Sequence, residues 1–210
     1  MLREGFREGT DMKKLFVIGG MGAGKSTARK VLVEQGLPYI DLDKVGHDIH
    51  HWDTVKDELR ETFGDDVFDE EGEVNRRALA AKAFLTPADT RKLNRITMPR
   101  IEEAFIDQIE ELEREGHAAV VVEYSVFRNR QTSLAYNADV VLAVLAPLVQ
   151  RIERAVASGW EEDDVRRRIA QQITDAERME AADVVFDNDG TPEELRNQVL
   201  VWWNEYKKTL

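Results

Sequence analysis

Residues 15–27 read Leu-Phe-Val-Ile-Gly-Gly-Met-Gly-Ala-Gly-Lys-Ser-Thr, and within them Gly19-x-x-x-x-Gly24-Lys25-Ser26 has the spacing of a phosphate-binding loop. The apolar run ahead of the loop reads as a short strand, and the residues after it open a helix. No other stretch constrains the fold as strongly as this strand, glycine turn and helix start. Glycines let the backbone wrap closely about phosphate oxygens. Successive N–H groups and the positive end of the following helix attract the anion. The pattern therefore predicts a triphosphate site made by Gly20, Met21, Gly22, Ala23, Gly24, Lys25, Ser26 and Thr27. In it Lys25 reaches the β- and γ-phosphates, a catalytic as well as a binding role, and the Ser26 hydroxyl ligates Mg²⁺. The competing reading is a glycine-rich turn that binds nothing.

The chain has 210 residues, enough for one α/β domain with inserted subdomains. No apolar run approaches the length of a membrane span. Residues 1–12 are charged and lack the apolar stretch of a signal peptide. They read as a disordered extension, with Met12 as an alternative start. Cysteine is absent, which excludes disulfides, thiolate metal sites and a cysteine nucleophile, and fits a cytoplasmic protein. The formal net charge of −12 argues against nucleic-acid binding, so a polyphosphate has to be held by local positive charge. The histidines lack metal spacing, and His50-His51 reads as a partly exposed pair on a helix. Nothing suggests a membrane partner, and a monomer or small homo-oligomer is expected.

Apolar runs of strand length alternate with helical patterns, which predicts a parallel sheet covered on both faces. The strands fall at Leu15–Ile18, Tyr39–Asp41, Ala118–Glu123, Val140–Leu145 and Val184–Phe186. Helices are expected over Lys25–Gln35, Thr54–Phe63, Arg76–Ala83, Pro87–Glu115, the charged region after Pro147, and Pro192–Lys208. Thr191 and Pro192 suit the N-cap and first turn of the last helix. On that helix at least one of Trp202 and Trp203 should face the sheet. The whole is a three-layer fold, a five-stranded parallel sheet flanked by helices, as one domain over 13–210. Its core is 13–50, 116–149 and 183–210, with a helical acceptor-binding region at 51–115. Residues 64–76 are acidic and turn-rich and read as an excursion from the core. Residues 150–182 carry Arg151, Arg154, Arg166, Arg167 and Arg168, and read as a helical lid that brings guanidinium groups onto a transferring phosphate. The competing reading is a solvated helix with i,i+4 pairs.

The second strand ends Tyr39-Ile-Asp41-Leu-Asp43. In a parallel sheet the ligand lies beyond the carboxyl ends of the strands. Strand periodicity would point both carboxylates the same way, one as general base for an attacking hydroxyl and the other as a helix cap. The third strand ends at Glu123, a candidate metal-side acid. Arg76-Arg77 would pair with that acid or with a substrate phosphate. No Asn-Lys-x-Asp base-reading motif is present. A chain of this length, with these acids and late arginines, reads as a small-molecule kinase.

These blocks resemble the dephospho-CoA kinase family from about Lys14 to Val201. The matching pieces are residues 19–27, Tyr-Ile-Asp-Leu-Asp at 39–43, Phe-Gly-Asp-Asp-Val-Phe at 63–68 and Val-Asn-Arg-Arg-Ala-Leu at 74–79. To these add the Leu-Asn…Pro-Arg-Ile segment at 93–101, Arg-Ile-Ala-Gln-Gln at 168–172 and Ala-Asp-Val-Val-Phe-Asp-Asn-Asp-Gly at 182–190. The resemblance implies a P-loop kinase fold and transfer of the ATP γ-phosphoryl group to the ribose 3′-hydroxyl of dephospho-CoA, the last step of coenzyme A synthesis. It implies ATP and dephospho-CoA as substrates and Mg²⁺ as cofactor. The family's catalytic aspartate falls on Asp43, a lid arginine on Arg154, and the acceptor-side block on Arg77. Ser26 and Glu123 fall on the metal side. The run Glu123–Phe127 replaces the family's usual Asp-x-Pro-Leu-Leu, Met98-Pro99 stands where His-Pro is common, and Ser158 stands where a second lid arginine is usual. A kinase for another hydroxyl acceptor, and a nucleotide-binding regulator without turnover, are the alternatives that these positions leave open.

Overall fold

Leu15, Phe16, Val17 and Ile18 alternate between the two faces of a strand, and all four are fully buried. A strand apolar on both faces belongs in the middle of a covered sheet. In the computed structural model, which describes residues 12–136 and 138–210, β1 (Lys13–Gly19) is the central strand of a five-stranded sheet. The order is β2 (Tyr39–Asp41), β3 (Ala119–Glu123), β1, β4 (Val140–Leu145), β5 (Val184–Asp187). Every pairing is parallel, as the strand–helix alternation requires. Most of the extension expected at 1–12 lies outside the described residues; Met12 is buried.

The chain divides into two compact units. The first comprises the described residues up to Asp41 together with Glu110–Leu210, and contains the sheet. On one face of the sheet Leu15, Val17, Val121, Leu142 and Val144 pack against α1 (Lys25–Glu34) and α9 (Pro192–Tyr206). Leu195, Val199 and Trp203 make up the buried stripe of α9, and Trp202 packs at its edge, so Trp203 is the tryptophan in the core. Thr191 caps α9 through a reciprocal bond with Glu194, and Pro192 opens it. On the other face Phe16 meets Tyr124 edge-on, with ring centroids 6.3 Å apart, and Tyr124 meets Phe127 at 6.0 Å. The charged region after Pro147 forms three helices: α6 (Leu148–Ala157), α7 (Glu162–Ala170) and α8 (Asp175–Ala181).

The second unit, Leu42–Ile109, holds α2 (Leu42–Asp48), α3 (Asp53–Phe63), α4 (Arg76–Ala83) and most of α5 (Pro87–Arg114). Its core is Val55, Leu59, Phe63, Val67, Leu79, Ala83 and Ile96. The structure departs from two expectations. The acidic stretch 64–76 is not an excursion: Val67 is fully buried, and Phe68 and Val74 form an isolated antiparallel bridge and pack on the same core. Nor do Asp41 and Asp43 share a strand face. Leu42, Val45 and Ile49 are all buried, a helical spacing, so the chain turns into α2 directly after Asp41. His50 and His51 sit in a short 3₁₀ turn after α2.

Packing of α9 on the sheet yields a direct test. Leu195→Ala removes a fully buried side chain and should cost about 2–5 kcal/mol in urea unfolding. Val201→Ala, on the exposed side of the same helix, should change stability by less than about 0.5 kcal/mol.

Candidate active site

The loop between β1 and α1 is shaped by close approaches that only glycine permits. Gly22 and Gly24 have φ of +73° and +106°, the left-handed region. A Cβ at Gly24 would lie 2.3 Å from Asn188 Nδ2, and one at Gly20 would lie 1.8 Å from Arg151 Nη2. The Ala23 N–H closes a turn onto the Gly20 carbonyl at 3.1 Å. Lys25 opens α1 and is buried, with Nζ 3.4 Å from the same carbonyl. Thr27 and Ala28 give their N–H groups to the Gly24 carbonyl. Among the described residues the N–H groups of Gly22, Gly24 and Ser26 have no hydrogen-bond partner, and no acid stands in the first turn of α1. Unspent amides, a helix N-terminus and a lysine ammonium converge on one loop, a combination whose chemistry suits a polyphosphate.

Side chains from elsewhere hold this loop in place. Asn188, directly after β5, is buried and donates from Nδ2 to the Ala23 carbonyl at 2.8 Å. Its own N–H bonds the Leu145 carbonyl at the end of β4, at 2.7 Å. Its carbonyl accepts from Arg154 Nη2 at 2.9 Å. That nitrogen also reaches Gln150, while Arg154 Nη1 is buried with no hydrogen-bond partner among the described residues. Arg151 is also buried, and donates from Nε to the Met21 carbonyl at 3.0 Å. Burial draws its pKa below the ordinary arginine value, Asp175 opposes that shift, and Arg178 adds to it. Arg166 and Arg167 instead pair with Glu162 and Asp164 on the exposed surface of α7. Arg168 stacks 4.6 Å over the Trp160 ring.

At the carboxyl end of β3, Glu123 takes the Arg29 guanidinium, with Nε 2.9 Å from Oε2. Nε of Arg29 is off line for a hydrogen bond, so the contact is mainly electrostatic. The same guanidinium lies 4.4 Å over the Tyr39 ring, tying α1, β2 and β3 together. Arg29 is thus a partner of Glu123 that the sequence reading did not name. Ser26 is exposed at the start of α1. Among the described residues no three His, Cys, Asp or Glu side chains gather as a metal site.

In the second unit Asp43 is exposed in the first turn of α2. Arg77 is exposed in the first turn of α4, whose N-cap Asn75 accepts from the N–H groups of Arg77 and Ala78. His50 is half-buried; burial first, then its neighbours His47, Arg76 and His51, hold its pKa down.

Of the groups around the site, Asn188, Asp175, Gln172, whose Oε1 accepts from the Met21 N–H, and Arg29 carried no role in the sequence reading. Asn188 was within reach of it. A polar residue directly after an apolar parallel strand lies at the ligand end of the sheet, the argument that marked Glu123. Gly24→Ala tests the loop geometry. Left-handed strain and the contact with Asn188 should destabilise the fold by about 1–3 kcal/mol and abolish tripolyphosphate binding in calorimetry.

The family model for dephospho-CoA kinase matches residues 15–194. The chain is 41% identical to the dephospho-CoA kinase of Corynebacterium efficiens over 189 residues, 89% of this chain and 94% of that one. Among solved structures, that of TT1252 from Thermus thermophilus superposes with a TM-score of 0.78 at 27% identity, covering 92% of this chain and 97% of the other. The dephospho-CoA kinase of Campylobacter jejuni shares the fold, with a TM-score of 0.70 at 20% identity over 93% and 98% of the two chains. The matched span takes in the glycine loop, Asp43, Arg77, Glu123, Arg154 and the Asn188 turn, and a match of that extent means that the chain belongs to the dephospho-CoA kinase family.

Proposed function

We propose that this kinase transfers the γ-phosphoryl group of ATP to the ribose 3′-hydroxyl of dephospho-CoA, yielding coenzyme A and ADP. The reading is carried by the unspent N–H groups of Gly22, Gly24 and Ser26 beside buried Lys25, in a chain of this family. Residues 20–27 cradle the triphosphate. Mg²⁺ enters with ATP as part of the substrate; the Ser26 hydroxyl and the Glu123 carboxylate are the protein groups on its side. Bound there, it screens the phosphate charge that an acidic protein would otherwise repel.

In the transfer the 3′-oxygen attacks the γ-phosphorus while the bond to the β–γ bridging oxygen breaks, and ADP leaves. Asp43 accepts the hydroxyl proton. Lys25 follows the charge that builds on the β- and γ-oxygens. Arg154 covers the phosphate from α6, exchanging its bond to the Asn188 carbonyl for a phosphate oxygen. Arg77 serves the acceptor side. Residues 150–182 act as a lid that excludes water, so that the alcohol and not solvent receives the phosphoryl group.

ADP release from MgATP should be stimulated by dephospho-CoA far more than by a panel of nucleosides and sugars. Tight MgATP binding with no such stimulation would overturn the acceptor. Asp43→Asn should lower kcat by about 10²-fold or more and leave MgATP affinity within about twofold. Retained turnover in that variant would remove Asp43 from the base role. Lys25→Ala should damage binding and turnover together.

A further inference from the structure

Met21 sits at the tip of the phosphate loop, and both polar groups of its peptide are already taken. Its N–H donates to Gln172 Oε1 at 3.0 Å, and its carbonyl accepts from Arg151 Nε at 3.0 Å. Gln172 lies just beyond α7, and Arg151 lies on α6. The two side chains also meet each other, with Arg151 Nη2 3.4 Å from the same Oε1. Arg151 Nη1 faces Asp175, at 3.4 Å from either carboxylate oxygen, and Asp175 in turn holds buried Arg178 at 2.6 Å. The Met21 side chain packs on the cluster of Ile152, Ala155 and Val165 between α6 and α7. Every nitrogen of the Arg151 guanidinium therefore has a protein acceptor within 3.4 Å, and its plane is set by Met21, Gln172 and Asp175 together.

We propose that Gln172 and Arg151 are positioning residues for the nucleotide, a latch that ties the phosphate loop to the helices α6–α8. The inference rests on the nucleotide reading above. Gln172 removes the Met21 N–H from the set of phosphate donors, and Arg151 holds the Met21 carbonyl outward. An outward carbonyl at the loop tip keeps negative charge away from the phosphates and leaves the next N–H groups, those of Gly22 and Gly24, turned inward. Preorganisation of this kind lowers the entropy cost of ordering the loop when the ligand arrives. Asp175 acts one step further out, by holding the guanidinium plane that makes the bond to Met21. Displacement of α6–α8 relative to the loop breaks the Met21 contacts together, so nucleotide affinity and the placement of these helices are linked in both directions.

Gln172 uses only its acceptor oxygen in these contacts, so Gln172→Met keeps its bulk and removes the interaction. MgATP binding by calorimetry and initial rates with dephospho-CoA are measured on the purified full-length chain and the variant. The expected result is an about ten-fold rise in the MgATP dissociation constant, the worth of one hydrogen bond in this setting. The KM for dephospho-CoA should stay within about twofold, a split that general loosening of the fold would not produce. An MgATP affinity within about twofold of the parent would overturn the latch. If Gln172→Met fails to fold, Arg151→Lys keeps the charge opposite Asp175 and loses the Nε donor; the same rise is expected and the same absence of a rise is fatal. Failure of the parent chain to bind MgATP would instead overturn the nucleotide reading on which the inference rests.

Discussion

The hydrogen bond from Asn188 Nδ2 to the Ala23 carbonyl, 2.8 Å long and buried, is the contact on which the phosphate loop depends. A carbonyl at that depth without a donor would cost about 1–3 kcal/mol, and the cheapest relief would be to turn it into the anion site. Asn188 prevents this because its own backbone is fixed at both ends. Its N–H continues the alignment of β5 on β4 through Leu145, and its carbonyl takes Arg154 from α6. The sheet therefore determines where the amide stands, and the amide determines which way the loop carbonyl points. Gly24 completes the arrangement, since any side chain there would displace the amide.

Charge in this chain is arranged by the same logic. A net charge of −12 makes the long-range field hostile to ATP, so attraction has to be local and at short range. In the proposed site, backbone amides, a helix end and buried Lys25 are the groups placed to supply it. The arginines of α6 and α7 divide according to burial. Arg151 and Arg178 are buried and share Asp175, so their charge is spent on structure. Arg166 and Arg167 are exposed in ordinary helix pairs, worth only a few tenths of a kcal/mol each. Arg154, half-buried and held by one backbone carbonyl, lies between these extremes.

Much of this was legible in residue order. The alternation of apolar runs with helical patterns located all five strands, and the Thr191-Pro192 pair located the start of α9, because those signals are local. What escaped depends on contacts between residues far apart in the chain. Gln172 is 151 positions from Met21, and Asn188 is 165 from Ala23. Nothing in the local sequence marks an amide side chain as the partner of one particular peptide. The Asp41–Asp43 spacing misled for a different reason. A three-residue strand is too short for period-two alternation to be read, and the buried Leu42, Val45 and Ile49 already carried the helical period. The acidic surface of 64–76 likewise concealed Val67, which reaches the core with Phe68 and Val74 packed against it.

The central claim is that the loop is set before nucleotide arrives, with some amides committed to the protein and others left for phosphate. Amide hydrogen exchange resolved at single residues measures this directly. Without nucleotide, Met21 and Ala23 should exchange slowly, held by Gln172 and the Gly20 carbonyl, while Gly22, Gly24 and Ser26 exchange fast. MgATP should then slow Gly22, Gly24 and Ser26 and leave Met21 and Ala23 little changed. Fast exchange at Met21 that MgATP alone suppresses would contradict the account, because it would make the Met21 amide a phosphate donor and the loop a structure formed only on binding.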